Sequence, residues 1–179
     1  MNVKILIMDV DGTLTDGKIY VGQNGELFKA FNIKDGYGIR NMLSNVFVDW
    51  SDFNNHHEEK LKGIIPVIIT ARESEIVRYR CKELGITYLY QNCNDKRKQI
   101  DELACYFMIN KSIAGKYDEI AYIGDDIIDL QAMKVCGLAG APSDAVKEIK
   151  QVADYVANVR GGDGAVREFI EFICAQVDE

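Results

Sequence analysis

The sequence predicts an α/β protein with a Rossmann-like, mainly parallel sheet flanked by helices and a protruding β-hairpin. Three observations carry that expectation. Apolar runs of strand length, among them Val3 to Met8 and Ile64 to Thr70, lead into polar or acidic residues, as buried parallel strands do. Segments with apolar residues at helical spacing alternate with those runs, and such alternation gives a parallel sheet covered by helices. Asn24-Gly25 stands between two β-prone runs, the strongest short hairpin signal.

Val3 to Met8 is the first strand, and Lys18 to Gln23 with Glu26 to Phe31 form the hairpin, about residues 18–31. A helix is expected from Gly36 to Leu43. Ile64 to Thr70 is the second buried strand, with Pro66 near its beginning. Glu73 to Leu84 reads as a helix stopped by Gly85. Ile86 to Tyr90 is a strand, and Asp95 to Phe107 a helix whose apolar positions are Ile100, Leu103, Ala104 and Phe107. Ile120 to Gly124 is the next strand, followed by a helix from Asp126 to Val135. Gly137 to Ala139 and Asp154 to Ala157 are short strands around a helix from Ser143 to Gln151, and Val166 to Ala175 closes the chain as a helix.

The 179 residues suffice for one full core, and two prolines with no Gly/Ser tract mark no linker, so one domain over 1–179 is expected. A net charge of −7 argues against a nucleic-acid partner, because phosphate backbones attract basic faces. No apolar run approaches the roughly 20 residues of a membrane span. The opening run is too short for a signal-peptide core. Five cysteines without a Cys-x-x-Cys pair read as reduced thiols in a cytoplasmic protein, and speak against zinc.

In open α/β sheets ligands bind beyond the carboxyl ends of the strands. Three candidate positions fall there: Asp9 with Asp11, Thr70, and Asp125 with Asp126. In Asp9-Val10-Asp11-Gly12-Thr13, residues i and i+2 of an extended segment face one way, so both carboxylates can serve one site. Two close carboxylates need a cation or a proton. Gly124-Asp125-Asp126-Ile127-Ile128-Asp129 repeats the pattern, and a carboxylate-rich, oxygen-only site suits Mg²⁺. Helix capping is the plain structural alternative for both segments. Thr70 and Lys96 offer a hydroxyl and an ammonium suited to phosphoryl oxygens, although each alone is a weak signal.

In this order, DxDGT, a strand ending in Thr, then Lys, then GDDxxD, the chain resembles the haloacid dehalogenase superfamily over residues 9–129. The resemblance implies that Asp9 attacks phosphorus to form an aspartyl phosphate, splitting one hard displacement into two. It implies that Asp11 serves as general acid and then base. It further implies Mg²⁺ on Asp9, the Asp11 carbonyl and Asp125, Thr70 and Lys96 on the phosphoryl oxygens, and Asp126 and Asp129 as supports behind the ligands.

Cap domains of that superfamily need space that is absent here: 25 residues separate Thr70 from Lys96, and 58 separate Asp11 from Thr70. No separate cap is expected, so something else must cover the site. The hairpin carries Ile19, Tyr20, Val21, Leu27, Phe28 and Phe31 on its two faces, and an isolated ribbon of this kind is barely stable, which predicts association through it.

A narrower resemblance rests on Thr15-Asp16-Gly17, the segment Lys29 to Gly36, Arg72-Glu73-Ser74, Gly124-Asp125-Asp126 and the segment Arg160 to Glu168. These look like the capless 3-deoxy-D-manno-octulosonate 8-phosphate phosphatases, which are homotetramers of similar size. The resemblance implies a phosphorylated sugar-acid substrate, with Lys29, Asp35, Arg72, Arg160, Gly161 and Gly162 as substrate-binding residues. Arg72 would meet the sugar-acid carboxylate, and the tail around Arg160 would close on a site.

Two departures stand out. Ala71 replaces the family's usual Gly between Thr70 and Arg72, and about residues 44–63 read as an atypical insertion. Within it, His56-His57-Glu58-Glu59 offers metal ligands by type, but adjacent residues do not converge on one helix face, so it reads as a solvated helical end. Trp50 and Phe53 are open between core packing and a contact surface. The insertion keeps a nonulosonate (sialic acid type) 9-phosphate open as alternative substrate, and a catalytically idle binding module as a reading of another class. A receiver-type domain lacks the DxDGT order, and a phosphomutase would need a cap.

Overall fold

The computed structural model describes residues 2–46 and 63–177. In chain order the elements are β1 (Ile5–Met8), β2 (Tyr20–Gly22), β3 (Gly25–Phe28), α1 (Ile33–Asn45), β4 (Ile65–Ile69), α2 (Glu75–Leu84), β5 (Tyr88–Tyr90) and α3 (Lys96–Tyr106). They continue with β6 (Tyr117–Ile123), a 3-10 turn (Ile127–Asp129), α4 (Leu130–Met133), β7 (Cys136–Ala141), α5 (Lys147–Val152), β8 (Tyr155–Val156) and α6 (Ala165–Val177). The expected insertion at 44–63, with Trp50, Phe53 and His56 to Glu59, lies outside the described residues except at its ends.

Six strands form one sheet in the order β5-β4-β1-β6-β7-β8, every neighbouring pair parallel. The α/β expectation is met. The chain moves outward from β1 through β4 to β5, then returns to β6 on the other side of β1. That reversal makes the carboxyl end of β1 the switch point at which such sheets bind ligands. Register sets the level: Met8 pairs with Ile68 and with Ile123, so β4, β1 and β6 end side by side.

Both faces of the sheet are covered. Leu6 and Met8 point into a core with Ile39, Met42, Val77, Leu84, Phe169 and Ile173, from α1, α2 and α6. Ile5 and Ile7 point the other way, to Ile100, Leu103, Phe107, Met133 and Ile149 of α3, α4 and α5. Burial of each such side chain is worth about 1.5–3 kcal/mol, which fixes strand register as well as stability.

The hairpin β2–β3 is a separate two-stranded sheet. Its strands are shorter than expected, and Phe31 leaves the ribbon to pack against the core. Helix α1 begins three residues before the expected Gly36, because Asn32 caps it by accepting the Lys34 N–H at 2.9 Å. The helix expected over 126–135 is instead a 3-10 turn followed by one helical turn. Asp126 and Asp129 use their side chains on nearby backbone N–H groups, which competes with a regular helix start.

Candidate active site

Asp9 follows β1 directly and is buried at 6% exposure, its N–H donating to the Ile123 carbonyl at 3.1 Å. Lys96, the first residue of α3 and fully buried, donates from Nζ to Asp9 Oδ1 at 2.7 Å and to Asp129 Oδ1 at 2.6 Å. The helix start that aims it is capped by Asp95, which accepts the Lys98 N–H. Asp129 is the hub behind the site. Its Oδ1 also accepts the Tyr122 hydroxyl at 2.6 Å, and its Oδ2 accepts the N–H groups of Asp125 and Asp126 at 3.1 and 3.2 Å.

Oxygens of Asp9, Asp125 and Asp129 lie within 4.8 Å of one another. Four donors already occupy Asp129, which leaves Asp9 and Asp125 as the carboxylates open to a cation. Both are pushed up by burial and by neighbouring charge. Burial pushes Asp9 up to about 6, against the pull of Lys96. Burial, then Asp9 and Asp129, push Asp125 up to about 7. Burial pulls Lys96 down, but Asp9 and Asp129 outweigh it and hold the ammonium above its usual range. Thr13 steadies Asp125 by donating its hydroxyl to Oδ1 at 3.1 Å.

A glycine contact sets the loop between Asp9 and Asp16. A Cβ on Gly12 would lie 2.1 Å from an Asp125 oxygen, and Gly12 takes a φ of +95°. From the other side, a Cβ on Gly161 would lie 1.8 Å from the Gly12 carbonyl oxygen. The neighbouring Gly162 donates its N–H to the Thr13 carbonyl at 3.1 Å. Gly161 and Gly162 therefore pack on the chain's own loop between Asp9 and Asp16.

Asp11 meets a second group of residues. Lys29, from the end of the hairpin and with a side chain 2% exposed, pairs with Asp11 and with Glu26. The Arg72 Nε stands 3.8 Å from Asp11, and its Nη2 stands 3.6 Å from Glu26. Asp11, Lys29 and Arg72 are thus brought together above the acid cluster. Thr70 ends β4, held by backbone bonds to Tyr90 and Cys93 and 3% exposed. Ala71 is not among the described non-glycine residues with positive φ, which are Asn92 and Met108, so the backbone there does not demand a glycine.

Other expected residues take partners elsewhere. Asp126 caps the turn after β6 through the Ile127 N–H. Asp35, in the first turn of α1, is buried against the start of α6, where its Oδ1 accepts the Arg167 N–H at 2.7 Å and its Oδ2 has no hydrogen-bond partner; burial pushes it up to about 6. Arg160 is exposed and pairs with Asp144 at 3.1 Å. Tyr122 and Glu26, and the parts that Thr13 and Ser74 play, carry no signal of their own in the sequence. Tyr122 looks like core in a buried strand, and a hairpin glutamate looks like a solvated one.

No family model matches the chain. It is 40% identical over 172 residues to the 3-deoxy-D-manno-octulosonate 8-phosphate phosphatase KdsC of Escherichia coli K12, which covers 96% of this chain and 79% of that protein. It matches the crystal structure of the 3-deoxy-D-manno-octulosonate 8-phosphate phosphatase from Yersinia pestis with a TM-score of 0.81 and 39% identity, over 99% of this chain and 83% of that one. The phosphatase of that name from Moraxella catarrhalis, solved in complex with a magnesium ion, a phosphate ion and a KDO molecule, matches with a TM-score of 0.78 and 35% identity, over 96% and 86% of the two chains. With that identity along nearly its whole length and the acid cluster at the matching strand ends, this chain belongs to the 3-deoxy-D-manno-octulosonate 8-phosphate phosphatase family of the haloacid dehalogenase superfamily.

Proposed function

We propose that this chain is a Mg²⁺-dependent phosphomonoesterase acting on 3-deoxy-D-manno-octulosonate 8-phosphate. The observation that carries the reading is the buried Lys96–Asp9 pair beside Asp125, with Asp11, Lys29 and Arg72 gathered above it. The family relatives named for that substrate support it.

The donor set fits the metal, being oxygen-only with two carboxyls that burial and neighbouring carboxylates push up. Asp9, Asp125 and the Asp11 carbonyl would hold it. When bound, Mg²⁺ offsets the repulsion between carboxylate and phosphate and polarises the phosphoryl group.

Asp9 is the nucleophile. Lys96 holds one of its oxygens, which fixes the carboxylate and favours its ionised form. Attack on phosphorus breaks the ester P–O bond, and Asp11 gives its proton to the leaving sugar oxygen. In the second half, Asp11 takes a proton from water as the water oxygen attacks the aspartyl phosphate, releasing phosphate and Asp9. Thr70, and Lys96 once Asp9 is esterified, steady the phosphoryl oxygens. Lys29 and Arg72 supply positive charge for the sugar-acid carboxylate.

The chain works as one domain in the cytoplasm, and assembles as a homotetramer through the hairpin. In support of a reducing compartment, no disulfide joins the cysteines among the described residues. No helix among the described residues is long and apolar enough to cross a membrane. Ile19, Val21, Leu27 and Phe28 are exposed on the ribbon.

The test is phosphate release, with Mg²⁺ or with EDTA, from octulosonate 8-phosphate, nonulosonate 9-phosphates and simple sugar phosphates. Preferred turnover of octulosonate 8-phosphate, lost with EDTA and in Asp9→Asn, is expected. Preference for a nine-carbon acid overturns the substrate, and a folded, metal-loaded protein that hydrolyses none of them overturns the phosphatase.

A further inference from the structure

The hairpin poses a mechanical question. A two-stranded ribbon is marginal alone, and this one turns its apolar side chains outward, with Val21 67% and Leu27 62% exposed. Its polar side supplies the attachment. Glu26, on β3, has a side chain 18% exposed and three partners. Its Oε1 lies 3.0 Å from Lys29 Nζ and 3.6 Å from Arg72 Nη2, and its Oε2 accepts the Ser74 hydroxyl. Ser74 is itself fixed: it is the N-cap of α2, accepts the Val77 N–H, and donates its own N–H to Gln91 at 2.7 Å.

Asp11, Lys29, Glu26 and Arg72 therefore close a ring of alternating charge. Without Glu26 the ammonium and guanidinium would repel each other, and only Asp11 would hold them. With it, each cation has two anionic neighbours, and the ring is anchored to a helix start. Burial pushes Glu26 up, but Ser74, Lys29 and Arg72 hold it below the usual carboxylate range. Arg72 remains 41% exposed, and its contacts of 3.6 and 3.8 Å are longer than those of a bidentate pair, so its fork still has donors for a ligand.

We propose that Glu26 is a positioning residue: it ties the hairpin to α2 and holds Lys29 and Arg72 as a pair of cations above Asp11, so that the site favours a substrate carrying a carboxylate besides its phosphate. This rests on the phosphatase reading above. Glu26 need not touch the substrate; it sets the spacing of two groups that do.

The experiment compares wild type, Glu26→Gln, Glu26→Asp and Glu26→Ala on octulosonate 8-phosphate and on p-nitrophenyl phosphate, which has no carboxylate. Glu26→Gln and Glu26→Ala should raise KM for the sugar acid and lower its kcat/KM relative to the aryl phosphate by about tenfold. Glu26→Asp should restore part of the ratio. Amide exchange across residues 20–28 in the full chain should quicken at least about tenfold in Glu26→Ala. An unchanged ratio with unchanged exchange, or an equal loss on both substrates, overturns the proposal. If the wild type ignores the octulosonate ester yet hydrolyses the aryl phosphate, the substrate reading fails, and unchanged exchange in Glu26→Ala would still overturn the role of Glu26.

Discussion

The acid cluster and the hairpin above it are held by opposite means. Asp9 and Asp125 stand just past the ends of two adjacent buried strands, with Asp129 in the turn behind them, and the group is closed by Lys96, Tyr122 and backbone N–H groups. The hairpin meets the same site from outside, with apolar residues exposed and Glu26 and Lys29 paired toward the site. One region is set by the sheet core, where a shift would move register in several strands at once. The other is set by a few ion pairs near solvent. On the proposed function, the chemistry common to phosphate esters would sit on the stiff part, and discrimination among esters on the adjustable part.

The largest expected effect tests the stiff part. Lys96→Met leaves Asp9 and Asp129 as neighbouring buried anions without their shared cation. It should cost about 3–5 kcal/mol of stability in denaturant unfolding. Turnover should fall at least about 10²-fold. A variant as stable as wild type would show that the cluster is not closed in this way.

Gly161→Ala comes next. Its methyl would collide with the Gly12 carbonyl oxygen and press the loop between Asp9 and Asp16 toward Asp125. We expect turnover to fall about 10–100-fold with a raised Mg²⁺ requirement, measured by titrating activity against metal. A silent substitution would mean that the tail yields rather than the loop.

Proton linkage separates the regions at smaller scale. Asp9, Asp35 and Asp125 are raised to about 6, 6 and 7, from 3.8. A carboxyl raised in the folded state keeps its proton longer there than in the unfolded chain. Its contribution to stability is therefore present at low pH and is lost as pH rises through that interval. In EDTA, Tm should climb by a few degrees from pH 8 to pH 5.5. Mg²⁺ should flatten the profile by stabilising most at high pH, where Asp9 and Asp125 are ionised. Glu26, on the hairpin side, is held below its usual value and stays charged across this window. A Tm in EDTA that falls toward pH 5.5 would contradict the strained cluster.

The smallest effect on the subunit tests the outer ribbon. Val21→Ser with Leu27→Ser should leave unfolding free energy of the subunit within about 0.5 kcal/mol, because both side chains are exposed. Sedimentation should nonetheless show a smaller assembly. Unchanged assembly would move the contact surface off the hairpin.

This contrast also explains what was legible in the sequence. Strand ends are local features: Val3 to Met8 announces a buried strand, and Asp9 follows at once. Asp125 and Lys96 were found for the same reason, each sitting where an apolar or helical pattern begins or stops. The role of Asp129 was seen only as support, since its four donors come from three different elements. Asp35 and Arg160 were grouped with the substrate residues by motif, yet their partners are a helix start and Asp144. Glu26 was invisible, because nothing in a hairpin sequence says which distant helix its carboxylate will reach. Side chains that act through long-range pairs leave no periodicity to read.

The contact between Gly162 and Thr13 joins residues 149 positions apart, near the two ends of the chain. During synthesis the strand bearing Asp9 emerges first and the carboxylates of β6 much later, but the loop between Asp9 and Asp16 acquires this backbone partner only when residue 162 has left the ribosome. At the ~5–20 residues per second of translation, that leaves an interval of several seconds in which a sheet can exist with its loop unset. The nascent chain would carry every acid of the cluster and still lack a finished site until residue 162 can reach Thr13.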